Sequence, residues 1–297
     1  MKLSGLLLAS LFSLVSAGLA QQSPHAIVTA EQKDGGGSVE ITRDQVTATV
    51  SGKPAAVRDW THLKGENAAV QIYVVIDDGT RADLANQYGD LHKFMQSQPA
   101  STQIGVAYLQ NGMARIAQTV TADHAAAAKA LRVPMGQPGI AASPYMGLSD
   151  LFKKWPAAEA RREVLFISEG DDPYYRSRDL QNPYLMTAMD DAVRGAIVVN
   201  PIYYAGAGHY GHSFFSVNMG QNYLSELAEG TGGEFYWQGL QSPVSISPFL
   251  ADFAQRLNNQ YLLTLDASGL RPGLEPLRVT STAHISLVAP SRIYVPK

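Results

Sequence analysis

The segment Gln71-Ile-Tyr-Val-Val-Ile is an unbroken run of mostly apolar, β-branched residues that ends abruptly on Asp77 and Asp78. Such a run reads as a strand buried on both faces, as in the middle of a parallel sheet. A second run, Val164-Leu-Phe-Ile-Ser168, also ends on acids: Glu169, Asp171 and Asp172. Between and beyond them the period changes. Residues 82–97 place Leu84, Tyr88, Leu91, Phe94 and Met95 at helical spacing. Further helices are expected over 122–131, 145–155, 185–194, 219–229 and 248–257, with strands over 103–109, 114–120, 196–204 and 233–237. Asn111-Gly112 joins two of those strands as a hairpin signal. Strands alternating with amphipathic helices predict a doubly wound, Rossmann-like, mostly parallel α/β sheet. The acids then stand at the carboxyl ends of its strands, where open α/β sheets bind ligands.

The two ends of the chain are patterned differently. Residues 38–41, 46–50 and 55–60 read as strands, the first two alternating polar and apolar side chains. The tail returns to β pattern over 261–266, 277–281 and 284–288. Residues 21–34 read as polar and loosely patterned. The expectation is a small β unit in which N-terminal strands (21–66) pair with C-terminal ones (259–297), flanking an α/β domain over 67–258.

Composition narrows the function classes. Lys2, the apolar run from Leu3 to Val15 and the small residues up to Ala20 follow the plan of a secretory signal peptide, cleaved after Ala20. The expected mature protein is secreted or periplasmic, and no later apolar run approaches membrane length. The chain has no cysteine, which excludes disulfides, thiolate metal sites and lipoprotein-type acylation. A net charge of −3 over 297 residues, without Lys/Arg clusters, argues against nucleic acid or an anionic membrane as partner.

Three segments now line up in order. Val74-Val-Ile-Asp77-Asp-Gly79-Thr-Arg81, Ala142-Ser143-Pro144-Tyr-Met-Gly147-Leu148 and Val164-Leu-Phe-Ile-Ser168-Glu169-Gly170-Asp171-Asp172 resemble the motifs of a von Willebrand factor A domain. The flanking segments, 41–54 and 261–296, are similar to the secreted bacterial "VWFA-related" group. The resemblance implies a role in binding a protein partner, without catalysis. It also implies a metal-ion-dependent adhesion site on Asp77, Ser143 (at the family's Thr) and Glu169 (at the family's Asp). That site departs from the family pattern, because Gly79 and Arg81 stand where Asp-x-Ser-x-Ser has its two serines. A divalent ion and a guanidinium roughly 5 Å apart would repel by about 6–7 kcal/mol at an effective dielectric of about 20. Arg81 is therefore expected to turn inward onto Asp77 or Glu169 and take the cation's place, the alternative being a solvated first-turn residue. The expected cofactor is none, with Mg²⁺ or Ca²⁺ at a working site as the alternative, and a looser Ca²⁺ cluster at Asp78, Asp171 and Asp172 as another.

Around these acids the expected binding rim comprises Asp78, Gly79, Arg81, Tyr145, Asp171, Asp172, Tyr174, Tyr175 and Arg176, since Tyr and Arg are enriched in binding hot spots. His209 and His212, set among glycines and near Tyr203, Tyr204, Phe214 and Phe215, read as a contact loop in preference to a metal site. No Gly-x-Ser-x-Gly elbow, Walker loop, His-Glu-x-x-His or dinucleotide fingerprint is present. The enzymatic alternative is a hydrolase using Asp77 and Glu169 as paired acids.

Overall fold

The computed structural model describes residues 23–32, 37, 39–137, 139, 143–156, 158, 160–175, 177, 181–207 and 213–297. The signal segment, Arg176, His209 and His212 lie outside them.

The chain opens with β1 (His25–Gln32), β2 (Val46–Val50), β3 (Lys53–Ala55) and β4 (Val57–His62). The α/β part follows: β5 (Val70–Asp77), α1 (Tyr88–Ser97), β6 (Thr102–Gln110), β7 (Met113–Thr121), α2 (His124–Lys129), α3 (Pro144–Lys154), β8 (Arg161–Ser168), α4 (Pro183–Arg194), β9 (Ile197–Tyr203), α5 (Phe214–Thr231) and α6 (Ser247–Asn258). It closes with β10 (Gln260–Leu265), β11 (Gly273–Ser281), β12 (Ile285–Val288) and β13 (Arg292–Val295).

Five strands form the central sheet in the order β7-β6-β5-β8-β9, all parallel except the edge strand β7. Side chains of β5 alternate between two cores. Ile72, Val74 and Ile76 pack in a cluster with Leu91 and Met95 of α1 and Phe253 of α6. Tyr73 and Val75 belong to the opposite cluster, with Leu148 of α3, Leu185 of α4 and Leu224 of α5. Burial on both faces explains why β5 and β8 are continuous apolar runs with no polar alternation. The sheet is doubly wound, of the Rossmann-like class the periodicity predicts.

The terminal strands build two antiparallel sheets, β12-β1-β10-β4 and β13-β11-β2-β3, around a shared core that includes Val28, Val46, Val50, Trp60, Tyr261 and Leu263. This β unit meets the amino ends of the central strands. Ile27, Leu63 and Val198 cluster there, and Gln260 of β10 donates to the buried Glu163 of β8 at 2.8 Å. Arg256 of α6 pairs with Glu31 of β1 and, at 3.1 Å, with Glu234. The carboxyl ends of β5, β8 and β9 lie at the other end of the sheet.

Four local expectations need correction. Residues 39–42 are irregular, because their amides are taken by side chains: Val39 N–H donates to Asn259 Oδ1 and Ile41 N–H to the Tyr261 hydroxyl, both at 3.2 Å. The strand lies earlier, at β1, inside the stretch read as loosely patterned. The helix expected over 82–97 begins as a 3₁₀ segment, Ala82–Gln87, before α1. Over 233–237 only a single bridge, Ile202 to Tyr236, forms.

Candidate functional site

Asp77 ends the central strand β5 and is 5 % exposed. Its Oδ1 accepts the Gly79 N–H and its Oδ2 the Ser168 hydroxyl, both at 2.9 Å. Ser168 ends the neighbouring strand β8, so parallel pairing of β5 with β8 delivers that hydroxyl to the acid. Thr80 turns its hydroxyl back onto the Asp77 carbonyl at 2.8 Å.

Gly79 and Arg81 are stitched to the loop after β9. Arg81 N–H donates to the Ala205 carbonyl at 3.1 Å and Ala207 N–H to the Gly79 carbonyl at 2.9 Å, with Thr80 bridging Gly206 between them. The backbone thereby fixes the direction of Arg81. Its guanidinium pairs with Asp83 at 2.8 Å and is half exposed. The inward pairing with Asp77 or Glu169 expected from sequence is not what forms: Asp83, two residues on, reaches the cation first and lets it keep its solvent.

Asp78 and Asp172 also differ from expectation. Both are buried, not on the rim. Asp78 accepts from both terminal nitrogens of Arg132 at 2.8 and 2.7 Å, and from the Met135 N–H at 3.3 Å. Asp172 accepts the Ser143 hydroxyl at 2.7 Å and the Asn182 amide at 2.9 Å on Oδ2, and the Tyr174 and Tyr175 N–H groups at 3.1 Å on Oδ1. Ser143 is at once the N-cap of α3, a common station for a serine. It therefore meets Asp172, while the expectation placed Glu169 at the family's acid. Tyr145, expected on the rim, is wholly buried and donates its hydroxyl to the Gly170 carbonyl at 2.6 Å. Tyr174 is exposed and Tyr175 half-buried, both packed near Tyr184.

Glu169 lies against Gly206, where an added Cβ would stand 1.9 Å from Oε2. Burial, then the charges of Asp77 and Asp171, push its carboxyl up to about 8, against the Gly206 N–H that favours the ionised form. Burial likewise raises Asp77 to about 6, opposed by the Gly79 N–H and the Ser168 hydroxyl and reinforced by Asp78 and Asp172. Burial and neighbouring acids thus hold both carboxyls above their ordinary range, a repulsion that a bound proton relieves.

The resemblance implies a divalent cation on Asp77, Ser143 and Glu169, and the donor set does not fit one held tightly. Both oxygens of Asp77, Asp78 and Asp172 accept from protein donors, and the Ser143 hydroxyl is directed to Asp172. Among the described residues no group of three or more His, Asp or Glu side chains is placed to hold a metal. Sequence reasoning missed three partners of the acids: Ser168, Asn182 and Arg132. Ser168 sits within the recognised motif, but Arg132 lies 54 residues from Asp78 with no local signal.

Strand order, the antiparallel third strand of the sheet and the placement of Asp77, Ser143 and Glu169 at its carboxyl edge define a von Willebrand factor A-type fold. No family model matches the chain, and no curated protein matches it. Solved structures similar to it include a von Willebrand factor type A protein from Catenulispora acidiphila (10% identity, 94% of this chain and 75% of that one, TM-score 0.43). Others are an aerotolerance-related membrane protein from Bacteroides fragilis (13%, 64% and 99%, 0.43) and the SpRpn10 VWA domain (11%, 62% and 94%, 0.41). Likenesses at this level add nothing to what the strand order already carries. Among the described residues no helix is long and apolar enough to cross a membrane.

Proposed function

We propose that this protein is an exported, non-enzymatic binding module that engages a protein partner at the carboxyl edge of its central sheet, without a tightly held metal. The observation that carries this reading is the distribution of exposed apolar side chains. Of the ten large hydrophobic residues exposed among those described, Met113, Val133, Met135, Tyr174, Phe214 and Leu240 flank this edge. Single exposed hydrophobics need no explanation, but a set of them around one edge marks an interaction surface. Their positions follow from the fold: Met113 opens β7 after the turn from β6, and Met135 is anchored through its N–H to Asp78. Tyr174 caps Asp172, and the Leu240 carbonyl takes the Tyr203 hydroxyl at the end of β9.

The donors that Gly79 and Ser168 give to Asp77 support a structural part for that acid in shaping this edge, in preference to the role the hydrolase alternative gives it. The N-terminal signal pattern supports export.

A photo-crosslinking amino acid placed at Met135, Tyr174 or Phe214, in cells producing the protein, tests the reading. Crosslinks to a protein from these positions, and none from Thr280 on the outer face of the β unit, are expected. Crosslinks from Thr280 alone would move the interface to the β unit and overturn it.

A further inference from the structure

Beside the buried acids a groove of about 330 Å³ opens to solvent. Tyr203, Ala205 and Gly206 line it from β9 and the loop after it, Phe214 and Val217 from the first turn of α5, and residues 240–242 from the far side. The far wall is tied down: the Tyr203 hydroxyl donates to the Leu240 carbonyl at 3.3 Å, and Ala205 N–H donates to Ser242 Oγ at 3.1 Å. Phe214 is 71 % and Leu240 46 % exposed, so both present apolar surface at the lips. Arg81 is the one charged residue in the lining among those described, and it is half exposed while paired through Nη2 with Asp83.

We propose that this groove receives an extended segment of the partner polypeptide, seating a large apolar side chain between Phe214 and Leu240 and an Asp or Glu, within two residues of it, on Arg81. The proposal rests on the edge-binding reading and names the chemistry of its partner. Donor complementarity selects this occupant: the half-exposed guanidinium, beside Asp83, has further N–H donors to offer a carboxylate and no acceptor to offer Lys or Arg. Side chains that fill such a pocket at the centre of an interface carry most of its binding energy. The tied-down wall limits the ordering cost of binding.

The test screens the mature chain against displayed random dodecapeptides and measures enriched, labelled peptides by fluorescence anisotropy. Enrichment of an aromatic or aliphatic residue within two positions of Asp or Glu is expected. Phe214→Ser and Arg81→Glu should each weaken such a peptide at least tenfold. The same peptide with Lys for its acid should bind Arg81→Glu better than wild type. Leu240→Ser, at a second exposed position, repeats the apolar arm, and unfolding midpoints establish that the variants are folded. Thr280→Ala, on the outer face of the β unit, should leave the affinity unchanged. No enriched peptide, enrichment without an acid, or affinity indifferent to Phe214 and Arg81 overturns the proposal. A concentration-dependent dimer abolished by Phe214→Ser also overturns it, assigning the groove to a second copy of the chain. Crosslinks at Met135 and Tyr174 alongside a negative peptide result would sink this inference and leave edge binding standing; absence of both sinks both.

Discussion

Arg132 holds Asp78 with both terminal nitrogens while its own guanidinium lies 3.8 Å over the ring of Tyr108. The Tyr88 and Tyr108 hydroxyls both donate to the Arg132 carbonyl. One residue thus neutralises the second acid of the Asp77-Asp78 pair, and the same contact positions the loop that carries Val133 and Met135. Removing it should be costly, because Asp78 has no exposed surface to return to water. Loss of one partner of a buried ion pair costs about 3–5 kcal/mol, and the partial exposure of Arg132 places the expectation for Arg132→Ala at the lower end, about 3 kcal/mol. Urea unfolding measures it. A loss under about 1 kcal/mol would show that Asp78 is satisfied in some other way.

Stability should fall as pH rises through the neutral range. Burial pushes Glu163 up to about 7, partly offset by Arg161, Gln260 and Asn200. An acid with a raised folded pKa binds its proton more tightly folded than unfolded, so the folded state loses ground between about pH 4.5, its ordinary value, and about 7. Glu163 alone accounts for at most about 3 kcal/mol over that window. Glu169 and Asp77 act in the same direction, in windows ending at about 8 and about 6. Melting curves from pH 5 to 8 should show the decline, and Glu163→Gln should flatten it. An unchanged slope in that variant would locate the titration elsewhere.

Divalent metals should not move the unfolding midpoint. A cation at about 100 times its dissociation constant would add roughly 2.7 kcal/mol. Thermal unfolding with EDTA, Mg²⁺, Ca²⁺ and Mn²⁺ reads this directly. A rise in the wild type would mean that Asp77 and Glu169 exchange their present donors for a metal, and the metal-free reading would fall.

Tyr145→Phe separates structural from binding tyrosines. It deletes the hydroxyl that the Gly170 carbonyl accepts, leaving that buried acceptor short of one donor. A loss of about 1 kcal/mol in stability is expected, with partner binding unaffected. Tyr174→Ala, at an exposed position, should do the reverse. Reduced crosslinking by Tyr145→Phe would contradict its interior placement.

Gly220→Ala should disturb the acidic loop from behind. Its Cβ would stand 2.3 Å from the Glu169 carbonyl, a backbone atom that cannot swing aside. Overpacking of this kind costs about 1–3 kcal/mol. A neutral effect on the melting midpoint would show that α5 shifts freely against the loop.

Local periodicity was enough to read the class of fold, most of the strands and helices, and the edge at which Asp77 and Glu169 stand, while Ser143 was placed there by the family resemblance. The reason is that β5 and β8 need two apolar faces, and that Asp and Ser at strand ends and helix caps follow from backbone geometry. Where the pattern was short it misled. β1 is a run of five buried residues among polar neighbours, and the stretch read as a strand over 38–41 gives the amides of Val39 and Ile41 to Asn259 and Tyr261.

The donors that each acid keeps were set by contacts between distant segments. Arg81 faces Asp83 because the Gly79–Ala207 and Arg81–Ala205 backbone bonds orient it, and those bonds join segments more than a hundred residues apart. Ser143 belongs to Asp172, and Asp78 to Arg132, through contacts spanning 29 and 54 residues. Charge, burial and hydrogen-bond capacity at such sites depend on neighbours brought by the fold, and a linear pattern carries no record of that distance.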